Sequence, residues 1–139
     1  MKTLSATLSR RASLRAATLL AALFSSGCAS VEGVFEPSCI AYAGDRIEFR
    51  NDRFEWSRFT DVRNIDRDGN EIDAFPDYPK AGTYKIDSAT VEFVTDDGSA
   101  LDDHFLLERN GDLYLLTREQ HDAVTAGESM PDCALRRSE

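Results

Sequence analysis

Asn64-Ile65-Asp66-Arg67-Asp68-Gly69-Asn70-Glu71 packs side-chain oxygens at the density of a calcium loop. An EF-hand loop needs glycine at position six and a bidentate glutamate at position twelve. With Gly69 at six, Asn64 is position one and Phe75 is position twelve, so the closing ligand is absent. Asp66, Asp68 and Asn70 stand as candidate calcium ligands, against the plainer reading of an acidic surface hairpin. Asp102-Asp103-His104 is the second constellation, with the types needed for metal binding or acid–base work. It has no second histidine at ligand spacing, and His121 falls in a different element, so a solvated strand entrance is the competing reading. Serine, histidine and aspartate all occur, but without a Gly-x-Ser-x-Gly elbow. Gly69, Gly98 and Gly111 are isolated and form no phosphate-cradling loop. These patterns predict no catalytic residue, no zinc or other built metal centre and no cofactor. A hydrolase would need His104 or His121 beside a nucleophile in a pocket.

Before these residues comes a segment with a different task. Lys2, Arg10, Arg11 and Arg15 are followed by a short apolar run from Ala16 to Phe24. A bilayer-spanning helix needs ~20 apolar residues, so this run reads as the core of an export signal. Ser25-Ser26-Gly27-Cys28 resembles a bacterial lipobox, with Ser25 where leucine is more usual. The resemblance implies cleavage after residue 27, diacylglycerol on the Cys28 sulfur and a palmitate-type acyl chain on its amine. Several acyl chains at ~0.8 kcal/mol per buried methylene make a stable anchor. Ala29 and Ser30 follow Cys28 with no aspartate at the second position, which by resemblance to the enteric sorting rule directs the product to the outer membrane. Ser9-Arg10-Arg11-Ala12-Ser13-Leu14-Arg15 also resembles the twin-arginine export motif, with Ser13 in the phenylalanine position. A basic leader for the general export route is the alternative.

With 1–27 taken as signal peptide, 112 of the 139 residues remain, enough for one domain. Four of the 16 basic residues lie in the leader and all 25 acidic ones lie after it, so the remainder carries a net charge of −13. That charge repels phosphate backbones and excludes nucleic acid as a natural partner. It suits a cationic protein partner, or simply solubility beside a membrane. Once Cys28 is assigned to lipid, Cys39 and Cys133 are an even pair in an oxidising compartment, and a disulfide is expected. Residues 28–38, with Gly33 and Pro37, read as a lipidated tether, and 39–139 as the domain.

Within that domain the hydrophobic pattern has period two. Ile47 and Phe49 alternate with charged residues, as do Phe54 and Trp56, the mark of strands buried on one face. Phe54 and Trp56 read as core rather than as a stacking platform. Further strand patterns run over 83–86, 90–95, 104–109 and 112–117, with 133–137 as a closing strand. Asp68-Gly69, Asp97-Gly98 and Asn110-Gly111 supply the positive φ of hairpin turns. A two-residue loop at Asn110-Gly111 sets Arg109 opposite Asp112. Phe105, Leu107, Tyr114 and Leu116 then share one face, and Leu106, Leu113 and Leu115 the other. Because both faces are apolar, a cover is required. Thr117-Arg118-Glu119-Gln120 has capping-box form, so a short helix ending at Gly127 is expected to lay Ala123 and Val124 over the three leucines. The sum is a mainly β fold: an antiparallel meander of about seven or eight strands curled into a small barrel, with one short helix near the C-terminus. A β-sandwich is the alternative. Phe75-Pro76-Asp77-Tyr78-Pro79 reads as a rigid connection across one end of the sheet.

The expected protein is a non-enzymatic lipoprotein of the bacterial envelope. Its disulfide-stapled acidic domain faces the periplasm as a binding or assembly module. A lysozyme-inhibitor-like or lipocalin-like ligand-binding lipoprotein is the alternative.

Overall fold

The computed structural model describes residues 30–40 and 44–138. The leader, its paired arginines and Cys28 lie outside the described residues. Among the described residues ten strands and one helix follow in order: β1 (Gly33–Pro37), β2 (Arg46–Arg50), β3 (Arg53–Ser57), β4 (Asn64–Ile65), β5 (Glu71–Ile72), β6 (Lys80–Asp87), β7 (Thr90–Thr95), β8 (His104–Arg109), β9 (Asp112–Thr117), α1 (Arg118–Thr125) and β10 (Leu135–Arg137). Eight of the strands close a barrel in the order β1-β10-β9-β8-β7-β6-β3-β2, and β4 and β5 form a separate hairpin. Every pairing is antiparallel, so this is the up-and-down meander the alternation predicts, not a sandwich. Closure leaves the barrel no free edge.

The interior of an eight-stranded barrel is just wide enough to be filled by side chains. Here Phe35, Ile47, Phe49, Phe54, Val91 and Leu115 are fully buried there, with Trp56 and Tyr84 nearly so. Their rings meet mostly edge to face: Phe35–Phe49 at 5.6 Å, Phe49–Tyr84 at 4.8 Å and Phe54–Phe93 at 4.8 Å. That geometry suits the aromatic quadrupole.

At one end of the barrel sit tight turns. Asn51 and Asp52 both take positive φ between β2 and β3, Ser88 does so between β6 and β7, and Asn110-Gly111 joins β8 to β9. The last is the expected turn, with Arg109 opposite Asp112 and Leu106 opposite Leu115. Asn51-Asp52 and Ser88-Ala89 contain no glycine, which is why turn chemistry in the sequence points elsewhere. Asp97-Gly98, by contrast, is no strand-to-strand hairpin. β7 and β8 pair only through Thr90–Phe105 and Val91–His104. Beyond that they part, and residues 96–103 fold as a loop across the opposite end.

Two expectations are corrected. Residues 28–38 are not all tether: Gly33–Pro37 is the first barrel strand, paired with β2 and β10. Val31 is already buried, its amide donating to Tyr84 Oη at 3.3 Å while that hydroxyl donates to Val31 O at 2.6 Å. Val31, Gly33 and Phe35 carry the period-two signal, disguised by glycine and proline at the strand ends. The folded unit thus already includes Val31, upstream of Cys39. Second, the helix does not cover the leucines. Thr117 caps α1 with the expected capping box through Gln120, and the helix stops before Gly127. Yet His121 stacks on Phe105 at 4.8 Å, and Arg118 lies over the same ring. The helix therefore covers the outer face, where Leu116 is also fully buried. Leu106, Leu113 and Leu115 face the barrel core instead.

Candidate functional site

The end of the barrel opposite the tight turns is polar. The four buried polar residues among those described are Asp45, Lys80, Thr95 and His104, and all four belong to this end. Their positions follow from the alternation: each continues an inward-facing row beyond its last apolar residue. Asp45 precedes Ile47, Lys80 precedes Gly82 and Tyr84, Thr95 follows Phe93, and His104 precedes Leu106. Asp45, Lys80 and His104 line a mouth of about 450 Å³, rimmed by Arg58, Asp77, Tyr78, Asp102 and Gln120.

A polar group at this depth is costly unless paired, and the pairing is nearly complete. Asp45 Oδ1 accepts from Trp56 Nε1 at 2.8 Å, and Oδ2 accepts from Arg58 Nε at 3.1 Å. Arg58 rests its guanidinium 4.0 Å from the Phe75 ring centre and 5.5 Å from that of Tyr78. Lys80 Nζ donates to Ser99 Oγ at 2.8 Å and lies 3.5 Å from Asp97. Thr95 donates to the Ser99 carbonyl. The Ser99 hydroxyl, then its amide, donate to Asp97 and hold that carboxyl well below its ordinary range.

His104 stands between this polar layer and the aromatic core. Its ring meets Trp56 at 5.1 Å and Phe93 at 5.7 Å, both edge to face. Nδ1 lies 2.9 Å from the Asp102 carbonyl. A carbonyl only accepts, so Nδ1 carries the proton and Nε2 keeps its lone pair in the neutral ring. Nε2 has no partner among the described residues, and no buried nitrogen or oxygen there is unpaired, so it is not fully buried; the ring lines the mouth. Burial pushes the imidazole below its ordinary pKa, outweighing the opposing pull of the Asp102 carbonyl and carboxylate.

That shift carries a sign. The unfolded chain takes up a proton near the ordinary value of 6.5, while the folded chain resists until lower pH. Stability is therefore whole above that value and is lost as pH falls below it. The depressed carboxyls Asp66 and Asp97 act in a lower window, beneath their ordinary 3.8. Denaturation midpoints are expected to drop from pH 7 to pH 5, and His104→Gln is expected to flatten that slope. An equally steep slope in the variant would count against His104 as its source.

The other constellations resolve differently. Asp66, Asp68 and Asn70 do meet in one turn, between β4 and β5. There Asp66 Oδ1 accepts from the amides of Asp68 and Asn70, each at 2.9 Å, and Oδ2 accepts from Asn70 Nδ2 at 3.1 Å. Its oxygens are occupied by closing the loop, which explains both its lowered pKa and the residue choice. Among the described residues no group of three His, Cys, Asp or Glu side chains is placed to hold a metal. His104 and His121 are not brought together: one faces the core and the other stacks outside it. Cys39 and Cys133 are joined, with Cα atoms 4.9 Å apart, and Cys133 lines the mouth. The 75–79 connection does cross the barrel end, placing Asp77 and Tyr78 on the rim. Asp45 and Lys80 were missed by sequence reasoning. Their only signal was a charged residue in phase with the inward row.

These features define a closed, disulfide-stapled β-barrel with an aromatic interior and one polar mouth. No protein family matches the chain, and no curated protein or solved structure is similar to it.

Proposed function

We propose that the chain is an envelope lipoprotein anchored through Cys28, and that its barrel is a non-enzymatic binding module whose contact surface is the acidic mouth end. The observation that carries this reading is the contrast between the two halves of the interior. Rings fill the barrel up to Trp56, Phe93 and His104, and depth remains only where the lining is charged. A filled core speaks against a lipocalin-like apolar ligand. Three of the four connections that leave and rejoin the barrel at its mouth end, residues 58–79, 96–103 and 118–134, hold four arginines against fourteen carboxylates. A cationic protein surface is the partner such a field attracts, and an inhibitor of a basic hydrolase such as lysozyme is one form of it. Among the described residues the hydrogen bond that His104 makes is to the Asp102 backbone carbonyl, not to a hydroxyl or thiol.

Two measurements test the reading. Mass spectrometry of the mature amino terminus is expected to find an acylated Cys28, and Cys28→Ser is expected to move nearly all of the protein from the membrane to the soluble fraction. Calorimetric titration with a basic lysozyme is expected to show binding that weakens as salt screens the field. An unmodified thiol removes the anchor, and salt-independent heats remove the electrostatic partner.

A further inference from the structure

Val31 is fixed in the barrel by two hydrogen bonds to Tyr84, and the Glu32 carboxylate accepts from the Asn51 amide at 3.0 Å. The chain therefore enters the barrel at the end that carries the tight turns, beside Asn51-Asp52. Gly33 pairs with Phe49, and Pro37 and Cys39 lie toward the mouth. Only Ala29 and Ser30 separate Cys28 from Val31. Three residue steps reach at most ~10 Å even when fully extended. The longest strand, β6, has eight residues, a path of roughly 26 Å. Tilted as barrel strands are, it gives the barrel a height of about 20 Å. A tether shorter than the barrel is tall cannot let the molecule turn over.

Resting on the proposed lipid at Cys28, we infer that the barrel stands on the bilayer on its tight-turn end and holds its mouth away from it. Charge supplies a second, independent argument. Around the turns, counting Glu32, residues 50–52, 87–90 and 108–112, Arg136 and Arg137, four arginines meet five carboxylates. Arg136 and Asp112 approach to 3.6 Å there. This end is close to neutral, whereas residues 58–79, 96–103 and 118–134 on the mouth side carry an excess of ten negative charges. An anionic headgroup layer accepts the first and repels the second. The tether and the field thus favour the same pose, in which the acidic mouth is presented to partners in the periplasm.

The test uses the full lipidated protein in vesicles of phosphatidylethanolamine and phosphatidylglycerol with a nitroxide quencher on the headgroup. A fluorescent non-canonical residue is placed at one exposed position in each variant, Ala89 or Glu108 at the turns and Asp77 or Ala100 at the mouth. Quenching severalfold stronger at Ala89 and Glu108 is expected. Equal quenching at the two ends, or stronger quenching at Asp77 and Ala100, overturns the orientation while leaving the anchor intact. Protein that does not float with the vesicles and carries no lipid overturns the proposed anchor and the orientation together.

Discussion

Gly82→Ala is expected to prevent the barrel from closing. Gly82 lies inside β6, opposite Phe54 on β3 and Thr95 on β7. A Cβ added there would sit 2.0 Å from Val94 O and 2.8 Å from Thr95 Cα. Both are backbone atoms of the neighbouring strand, so no rotamer change relieves the overlap. The strands must separate, breaking pairing on both sides of β6 just above the Phe54–Phe93 contact. Overpacking of ordinary cores costs about 1–3 kcal/mol. A collision with backbone in a closed sheet belongs above that range, at roughly 4 kcal/mol or more, against a typical total stability of about 5–15 kcal/mol. Urea titration followed by circular dichroism should show a lost or strongly lowered transition. Gly98→Ala is the control. Its φ is +75°, but nothing lies within 4 Å of the added atom, so the cost should be about 1–2 kcal/mol of left-handed strain. Equal midpoints for Gly82→Ala and the native protein would contradict the close approach of β6 and β7 at this position.

Removing the disulfide is the second large effect. The seam of the barrel is the β1–β10 pair, with only three residue pairs in register: Phe35–Arg137, Glu36–Arg136 and Pro37–Leu135. Cys39 and Cys133 lie just beyond that seam at the mouth, 94 residues apart in sequence. A cross-link of that span restricts the unfolded chain by ~4–5 kcal/mol on the entropy account, and measured losses in small secreted domains run about 2–5 kcal/mol. The Cys39→Ser, Cys133→Ser double variant should therefore unfold at much lower urea. Because the bond holds only the seam, hydrogen exchange should speed first at β1 and β10 and least at β6 and β7. A change in stability below ~0.5 kcal/mol, or uniform exchange, would contradict this role.

The fold was largely readable because barrel strands advertise themselves twice. Inward rows such as Ile47-Phe49 and Phe54-Trp56 show the period, and Asn110-Gly111 shows a register. Once that register holds, Leu106, Leu113 and Leu115 must share a face. Which face points inward is a different question, since both sides of β8 and β9 are apolar. Local pattern could not choose between them. The first strand escaped notice for a related reason: Gly33 and Pro37 look like linker residues until β2 and β10 are present to pair with them.

The site was far less legible. Asp45, Arg58, Lys80 and His104 are scattered over sixty residues, and nothing in their spacing predicts that they meet. The oxygen-rich stretch around Asp66 looked more like a site than any of them. It proved to spend its carboxylate on its own turn, because hydrogen bonds between near neighbours form wherever the chain reverses.

By itself the sequence determined the period of the strands, the turn at Asn110-Gly111 and the cap of the helix. Each of these depends on residues close in the chain. Only the tertiary structure decided where β1 begins, which face of the last hairpin lies inside, and that the polar residues gather at one end while the chain enters at the other. Those outcomes depend on how eight strands share one closed interior, and closure is a property of all the pairings together rather than of any one segment.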